Sequence, residues 1–404
     1  MASEPAATQS KIGDPLSIWM LAFGQTFGFA SLVYIYGALL VSIEADTGWG
    51  RAGLAIGLTL AALVSAATVP FAGRLVDRGL GAEMLTVGAA VGGVALLGLS
   101  QVSSLAGWYI AWACIGLAMA SSLYDMCFAF LNRRLGAGAR AAIIRITLVA
   151  GFASTIAFPL GAVLAETFGW RGAVIAFALI QLSVAVPLNF FAGQRLRRKE
   201  RAEGSPAFAV SHASPLRRAM RMPAFWLVAG AFGLATMNHT MLVTYFIPLF
   251  TGLGAGKAMA VAAASFVGPF QVLGRIFLML QGGRVSTLVS TRAALFGLTA
   301  ASIVLLCAGL SAQLIFVFAM LQGTSIGMVS ILRPVLIVET LGSDGVGAIS
   351  GAIATVPLVA GAIAPIVGAI LLETAGIPAL LIASLAMVLV GAGFAFAIRL
   401  RVPV

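Results

Sequence analysis

Charged side chains are scarce in this 404-residue sequence. Asp, Glu, Lys and Arg together make up 9% of it, against roughly 25% in soluble globular proteins. Hydrophobic residues make up 61%. So few charges cannot cover a water-facing surface, so the composition excludes a soluble domain and indicates a membrane protein.

Histidine, cysteine and acidic residues are also rare, with 2, 3 and 13 copies. One histidine, His212, lies in a polar segment and the other, His239, in an apolar run, so the pair offers no metal-ligand spacing. Paired carboxylates and glycine-rich nucleotide-binding loops are missing as well. The sequence therefore predicts neither an enzyme nor a metal or cofactor site, and it excludes a pump that hydrolyses its own nucleotide.

Apolar runs long enough to cross a bilayer follow one another with short polar breaks. A spanning helix needs roughly 20 apolar residues, and the first run is too long to be a cleaved signal. Twelve spans are predicted, at 16–41, 52–76, 84–101, 106–131, 141–165, 171–192, 224–250, 258–281, 288–308, 312–337, 346–372 and 377–398.

Basic residues are concentrated on one side of these spans. The net charge is +11, and with a cytoplasmic N-terminus nineteen of the 24 Lys and Arg fall on the cytoplasmic side. This asymmetry is the positive-inside rule, so the basic character indicates topology and anionic lipid headgroups instead of a nucleic-acid partner. We expect a multi-pass protein of the inner, cytoplasmic membrane with both termini in the cytoplasm and the lipid bilayer as its surroundings.

The chain divides into two halves that repeat each other. Residues 1–192 form a predicted N-terminal six-helix bundle, 193–223 a basic cytoplasmic linker, and 224–404 a C-terminal six-helix bundle. Matching features recur about 206 to 210 positions apart, among them two Glu-Thr-x-Gly segments at 166–169 and 373–376. Such repeats are typical of transporters that rock one half against the other.

The loop after the second span carries most of a known signature, G-x-L-x-D-R-x-G-R. Its first positions match at Gly73, Leu75, Asp77 and Arg78, whereas Leu80 and Gly81 replace its last glycine and arginine. The sequence thus resembles the major facilitator superfamily. That resemblance implies an all-α membrane fold of twelve helices in two pseudo-symmetric bundles, a monomeric secondary transporter, and a gating role for Asp77 and Arg78.

Two further segments resemble the branch that contains monocarboxylate and oxalate/formate transporters: 46–51, with Asp-Thr-Gly-Trp before Arg51, and Gly169-Trp170-Arg171. In that branch an arginine of the eighth helix binds the substrate carboxylate, and Arg275 matches it. A guanidinium offers a fork of donors that suits a carboxylate, and Gln271 shares its helix face. The alternatives are a structural salt bridge and a snorkelling arginine.

Other ionisable residues deep inside the spans include Arg333, Asp125 and His239. Arg333 is a second candidate anion ligand, or else the partner of a carboxylate. Asp125 lies at the repeat-equivalent depth, so we expect the two to pair in one state of the transport cycle, with Asp125 serving in coupling or gating or in a permanent structural pair. His239 is a candidate for substrate binding and proton coupling, or a packing residue.

Uncharged polar residues complete the candidate set: Gln25 and Tyr34 in the first helix, which lines the cavity in this superfamily, and Asn238 beside His239. Together these residues predict a secondary active transporter that moves a small organic anion, mono- or dicarboxylate-like, by alternating access with proton coupling or by exchange. The alternative is an exporter of drugs or other xenobiotics, for which surplus acidic groups would be expected.

Overall fold

The structure is a computed structural model that describes residues 14–203, 214–281, 284–342 and 346–399. In these ranges the chain forms helices joined by short loops, with no β-strand. Ten helical stretches are long and apolar enough to cross a membrane. Two of them are interrupted by a glycine in the left-handed region, Gly169 at φ 69° and Gly376 at φ 73°. Glycine adopts this conformation without a Cβ penalty, so the ten stretches make twelve helices.

The twelve helices agree with the predicted spans to within a few residues at most ends. In chain order they are Pro15–Thr47, Arg51–Asp77, Gly81–Leu99, Leu105–Leu135, 139–168, 170–203, Pro223–Gly252, Lys257–Gln281, Thr287–Leu306, Leu314–Leu341, 346–375 and 377–397.

The sixth helix extends furthest beyond its predicted end at 192, because it continues to Glu203. Its last turns consist mostly of Arg, Lys, Leu, Gln and Glu, which favour helix. Two ion pairs hold them, Arg195 to Asp14 at 2.7 Å and Arg197 to Glu83. The predicted linker 193–223 is therefore helical at its start and again at Ser214–Met220, while 204–213 lie outside the described residues.

Several membrane helices are locally irregular within their spans. The first helix contains a π-turn at Ala30–Tyr34. The fourth is broken at Leu123, whose backbone is extended with φ −89° and ψ −162°. The fifth leaves regular geometry between Ala150 and Ala153. Such breaks free backbone groups and turn side chains out of the regular helical register.

The two six-helix halves share buried apolar packing at one end of the molecule. One buried apolar cluster contains residues of both halves, including Leu39 and Trp108 from the first half and Phe250 and Phe318 from the second. It lies at the end that carries the loops at 48–50 and 253–256. We call this the closed end, and the other the linker end.

At the linker end each half has a separate apolar cluster. Residues such as Leu85 and Phe130 form the cluster of the first half, and residues such as Phe225 and Leu336 form that of the second. Neither cluster contains a residue of the other half. In the described chain the halves thus share an apolar core at the closed end and have separate cores at the linker end, while the fifth and eighth helices remain in contact across the halves at Thr147 and Arg275.

Glycine lets the halves approach at the closed end. A Cβ on Gly37 of the first helix would lie 3.0 Å from the carbonyl oxygen of Val243 in the seventh. Within the first half, Asp46 accepts hydrogen bonds from Trp170 at 2.7 Å and from Arg171 at 2.6 Å. The two segments that resemble the monocarboxylate branch thus contact each other and tie the first helix to the sixth.

Candidate functional site between the two halves

Arg275 lies where the eighth helix meets the fifth and the tenth. It is 6% exposed and six residues from the linker end of its helix, about 9 Å at the helical rise. Because side chains tilt toward the helix N-terminus, its guanidinium is directed back toward the middle of the molecule.

The guanidinium is hydrogen-bonded but not ion-paired. Nε donates to Ser330 Oγ at 3.4 Å, and Nη1 donates to the backbone carbonyl of Thr147 in the other half. Among the described residues, Nη2 has no hydrogen-bond partner, and no carboxylate lies within ion-pair distance. In the described part of the chain, a nearly buried positive charge is thus left without a carboxylate counter-charge.

Polar side chains from both halves surround Arg275. Its charge acts on Tyr34 and Tyr124 of the first half and on His239 of the second. The Tyr124 hydroxyl approaches the guanidinium, and Tyr34 approaches Gln271, which is 7% exposed. The structure therefore places four predicted site residues together: Arg275, Gln271, Tyr34 and His239.

His239 adds a second unsatisfied group to this set. Its Nδ1 is buried and has no hydrogen-bond partner in the structure. A buried polar atom without a partner costs roughly 1–3 kcal/mol, so a ligand or water that supplied one would be stabilised. Arg275 and His239 thus present unused hydrogen-bonding capacity to the same region.

The break in the fourth helix positions Tyr124 and Asp125. Leu123 interrupts the helix, and the segment Tyr124–Leu135 starts anew, with both residues in its first turn. Gln25 stabilises this break, because its Nε2 donates to the carbonyl of Ser122 at 2.7 Å. Gln25 is fully buried. It therefore holds the broken helix in place and does not face the space between the halves.

Asp125 and Arg333 face each other across the division between the halves. Each acts electrostatically on the other, yet they form no ion pair in this conformation among the described residues. Asp125 is exposed and Arg333 is half-buried. Their separation fits a linker end that stands open, and their predicted pairing in another state stays a prediction.

Asn238 lies in a different environment from its neighbour His239. Its amide donates to Ser384 Oγ at 2.7 Å and accepts from Gln322 Nε2 at 3.1 Å, and Ser384 is 3.1 Å from Ser302 Oγ. All four residues are buried. This network joins the seventh, ninth, tenth and twelfth helices inside the second half, away from the Arg275 group.

The signature residues lie at the linker end. Asp77 ends the second helix, but its side chain falls outside what the structure describes, and Arg78 is exposed in the following turn. Neither is brought to Arg275. The histidines, cysteines and carboxylates of the described residues form no group that could hold a metal ion.

Sequence reasoning did not assign Tyr124, Thr147 or Ser330 to this site. In the sequence, Tyr124 is marked only by its position next to Asp125, and Ser330 only by lying one helical turn from Arg333. A backbone carbonyl such as that of Thr147 leaves no signal in a sequence. The helix break at Leu123 contains neither proline nor glycine, so the sequence does not predict the break or the resulting direction of the Tyr124 side chain.

Comparisons with known proteins support the fold described for this chain. The sequence model of the Major Facilitator Superfamily matches residues 19–356. Two solved structures are similar, both of a bacterial homologue of the human lysosomal transporter Spinster in an inward-facing conformation. The occupied form has a TM-score of 0.68 at 13% identity, covering 94% of this chain and 95% of that one.

The unoccupied form has a TM-score of 0.66 at 14% identity, covering 95% of this chain and 97% of the other. No curated protein sequence matches this chain. The family match and the shared fold confirm the fold class, the multi-pass membrane character and the transporter family expected from the sequence.

Proposed function

Because the chain belongs to the Major Facilitator Superfamily, we propose that it is a secondary active transporter that moves a small organic anion across the cytoplasmic membrane by alternating access. The observation that carries the anion assignment is Arg275, a nearly buried guanidinium between the halves that has no acidic partner in the part of the chain that the structure describes. Arg275 is the principal ligand of the anionic group in this proposal.

The electrostatics of this arrangement favour an anion. An ionised group at membrane depth costs at least about 2.5–3.5 kcal/mol even on the lenient insertion scale, and such groups usually serve function. Ser330 and the Thr147 carbonyl offset part of this cost through hydrogen bonds, but they leave the charge itself in place. A carboxylate or similar oxyanion provides the missing counter-charge and accepts from Nη2.

Contacts from both halves make the site suitable for alternating access. Arg275, Gln271 and His239 belong to the second half, whereas Tyr34 and Tyr124 belong to the first. A ligand bound between them would hold the halves together, and its release would let them separate. In this proposal Arg333 joins the anion site in other states, and Asp125 or His239 couples transport to protons unless the protein exchanges one anion for another.

The remaining assignments rest on charge distribution. The linker end carries most of the basic residues, so we place it, with both termini, in the cytoplasm, and the closed end outside. The protein acts as a monomer in the lipid bilayer, needs no cofactor, and has no nucleic-acid partner. The conformation described above is then open to the cytoplasm.

Proteoliposome uptake of labelled carboxylates, with and without a pH gradient, tests the proposal. Arg275→Lys keeps the charge but loses the bidentate fork, and should reduce uptake at least tenfold at unchanged expression and melting temperature. Arg292→Lys is the matched control, since Arg292 donates to carbonyls at the end of the twelfth helix, away from the site. Equal uptake by Arg275→Lys and wild type would refute the site. Transport of lipophilic cations but no anion would favour the xenobiotic exporter instead.

A further inference from the structure

A row of aromatic rings lies on the first half's side of the site. The ring centroids of Phe29 and Tyr124 are 4.3 Å apart, and those of Tyr124 and Phe128 are 4.8 Å apart with the planes nearly parallel. All three side chains are half-buried, so each leaves part of its ring uncovered. The row lies between the shared apolar cluster and the linker-end cluster of its half, which Phe29 and Tyr124 respectively contact.

The row and the charge belong to the same site. Tyr124, its middle member, is the residue whose hydroxyl approaches the Arg275 guanidinium. Tyr34 provides a further ring nearby, 6.2 Å from Phe158 in an edge-to-face arrangement, and approaches Gln271. One positive group on the second half thus faces aromatic surface on the first.

The charge balance at the site limits the ligand's charge. No carboxylate of the described residues pairs with Arg275, whereas the charge of Arg333 is opposed by that of Asp125. One guanidinium is therefore available, and a second carboxylate on the ligand would lose its hydration without gaining a partner. The surface around the guanidinium is aromatic instead, and rings prefer offset-stacked or edge-to-face contact with other rings.

We infer that the transported anion carries a single negative charge next to an aromatic ring, as in an aromatic monocarboxylate. The carboxylate binds Arg275, and the ring contacts Tyr124 and Phe128. This inference rests on the proposed function and narrows it, because the sequence left mono- and dicarboxylates equally open. It also assigns the preference for an aromatic ring to Tyr124 and Phe128, which carry no charge.

Ligand binding to the purified full-length protein distinguishes the possibilities. The probes are benzoate, cyclohexanecarboxylate of similar size without a π-system, propionate, and the dianions phthalate and succinate. We expect benzoate to bind about tenfold more tightly than cyclohexanecarboxylate or propionate, and phthalate and succinate to bind more weakly still. Phe128→Leu should reduce the preference for benzoate over cyclohexanecarboxylate several-fold, whereas Tyr124→Phe should preserve it.

Phe190→Leu is the matched control, because Phe190 is exposed on the outer surface of the sixth helix and should not alter the preference. Equal affinities for benzoate and cyclohexanecarboxylate, or tighter binding of succinate, would overturn the inference and leave the anion transporter standing. Failure of every carboxylate to bind would instead refute the proposed function. If Phe128→Leu does not fold, the probe series on the wild-type protein still decides.

Discussion

Glu373 of the second half accepts a hydrogen bond from the backbone N–H of Ala52 in the first half, at 2.8 Å. Ala52 lies in the first turn of the second helix, where N–H groups lack intrahelical partners and the helix dipole favours negative charge. Gly50 allows the approach, since a Cβ there would lie 3.3 Å from Glu373 Oε1. The end of the eleventh helix is thereby joined to the start of the second.

The repeat-equivalent contact exists on the other side of the molecule. Glu166, at the end of the fifth helix, forms an ion pair of 2.7 Å with Lys257 at the start of the eighth. Both glutamates begin the Glu-Thr-x-Gly segments that first revealed the repeat. The two segments thus form equivalent contacts between the halves at the closed end, and we expect both to break when that end opens.

Removing the Glu373 contact should shift the protein toward opening at the closed end. Glu373→Gln weakens a charge-assisted bond worth typically 0.3–1 kcal/mol, so we expect a two- to fivefold change in the ratio of the two states. Distance measurements between spin labels at Ser103 and Ser311, exposed loop positions in opposite halves, would detect it after replacement of Cys307. Thr374→Val is the control, since Thr374 bonds only within its own helix. A distance distribution unchanged by Glu373→Gln would show that the contact does not set the equilibrium.

The sequence predicted the membrane spans and the internal repeat because both depend on features spread over many residues. Twenty apolar residues predict a span, and matched segments such as those at Glu166 and Glu373 predict the repeat. Arg275 was predictable for the same reason, since a guanidinium within an apolar run must face protein or water and not lipid. These inferences need composition and spacing but no side-chain geometry.

The rest depended on which way individual side chains point. Asn238 and His239 are adjacent, yet one is fixed in a buried network while the other faces Arg275, because neighbours in a helix are 100° apart. Gln25 likewise reads as a cavity residue but bonds to the broken fourth helix. Phe29 and Phe128 resemble any core aromatic in a sequence, and only the break at Leu123 brings Tyr124 between them.

Gly268 should be intolerant of even a methyl group. A Cβ there would lie 2.5 Å from the carbonyl oxygen of Gly151 and 2.7 Å from Thr155 Oγ1. Gly268→Ala must therefore push the eighth helix away from the fifth, the two helices that Arg275 joins through Thr147. We expect uptake to fall at least fivefold. Gly351→Ala, at a helical glycine with nothing within 4 Å, should keep wild-type uptake. Normal transport by Gly268→Ala would mean that the two helices are not held this closely.

Asn238 should matter for stability and not for affinity. Asn238→Leu leaves Gln322 Nε2 without its partner, at about 1–3 kcal/mol for the unsatisfied group, whereas Ser384 Oγ keeps its contact with Ser302 Oγ. The melting temperature in detergent should fall by several degrees, with the dissociation constant of the anion unchanged. Thr236→Val in the same helix is the control, because Thr236 bonds only to the carbonyl of Phe232. A weakened affinity without loss of stability would return Asn238 to the binding site.

The opposition of Asp125 and Arg333 predicts how charge selectivity can be changed. Asp125→Asn removes the one charge among the described residues that acts on Arg333 from the other half, so the linker end gains a second uncompensated guanidinium. The ratio of succinate affinity to propionate affinity should then be several-fold higher for Asp125→Asn than for wild type. Arg333→Gln in the same protein should abolish that gain, because it restores a single available positive charge.

Glu83→Gln controls for loss of a carboxylate as such, since Glu83 pairs with Arg197 at the linker end and should leave the ratio of succinate to propionate binding unaltered. Two results would contradict the prediction: succinate discriminated as strongly by Asp125→Asn as by wild type, or a gain that persists in the double variant. In the first case Arg333 would not be reachable by the ligand. In the second case Asp125 would repel the anion directly. The preference for monoanions over dianions would then depend on the Asp125 carboxylate alone and not on how its charge offsets that of Arg333.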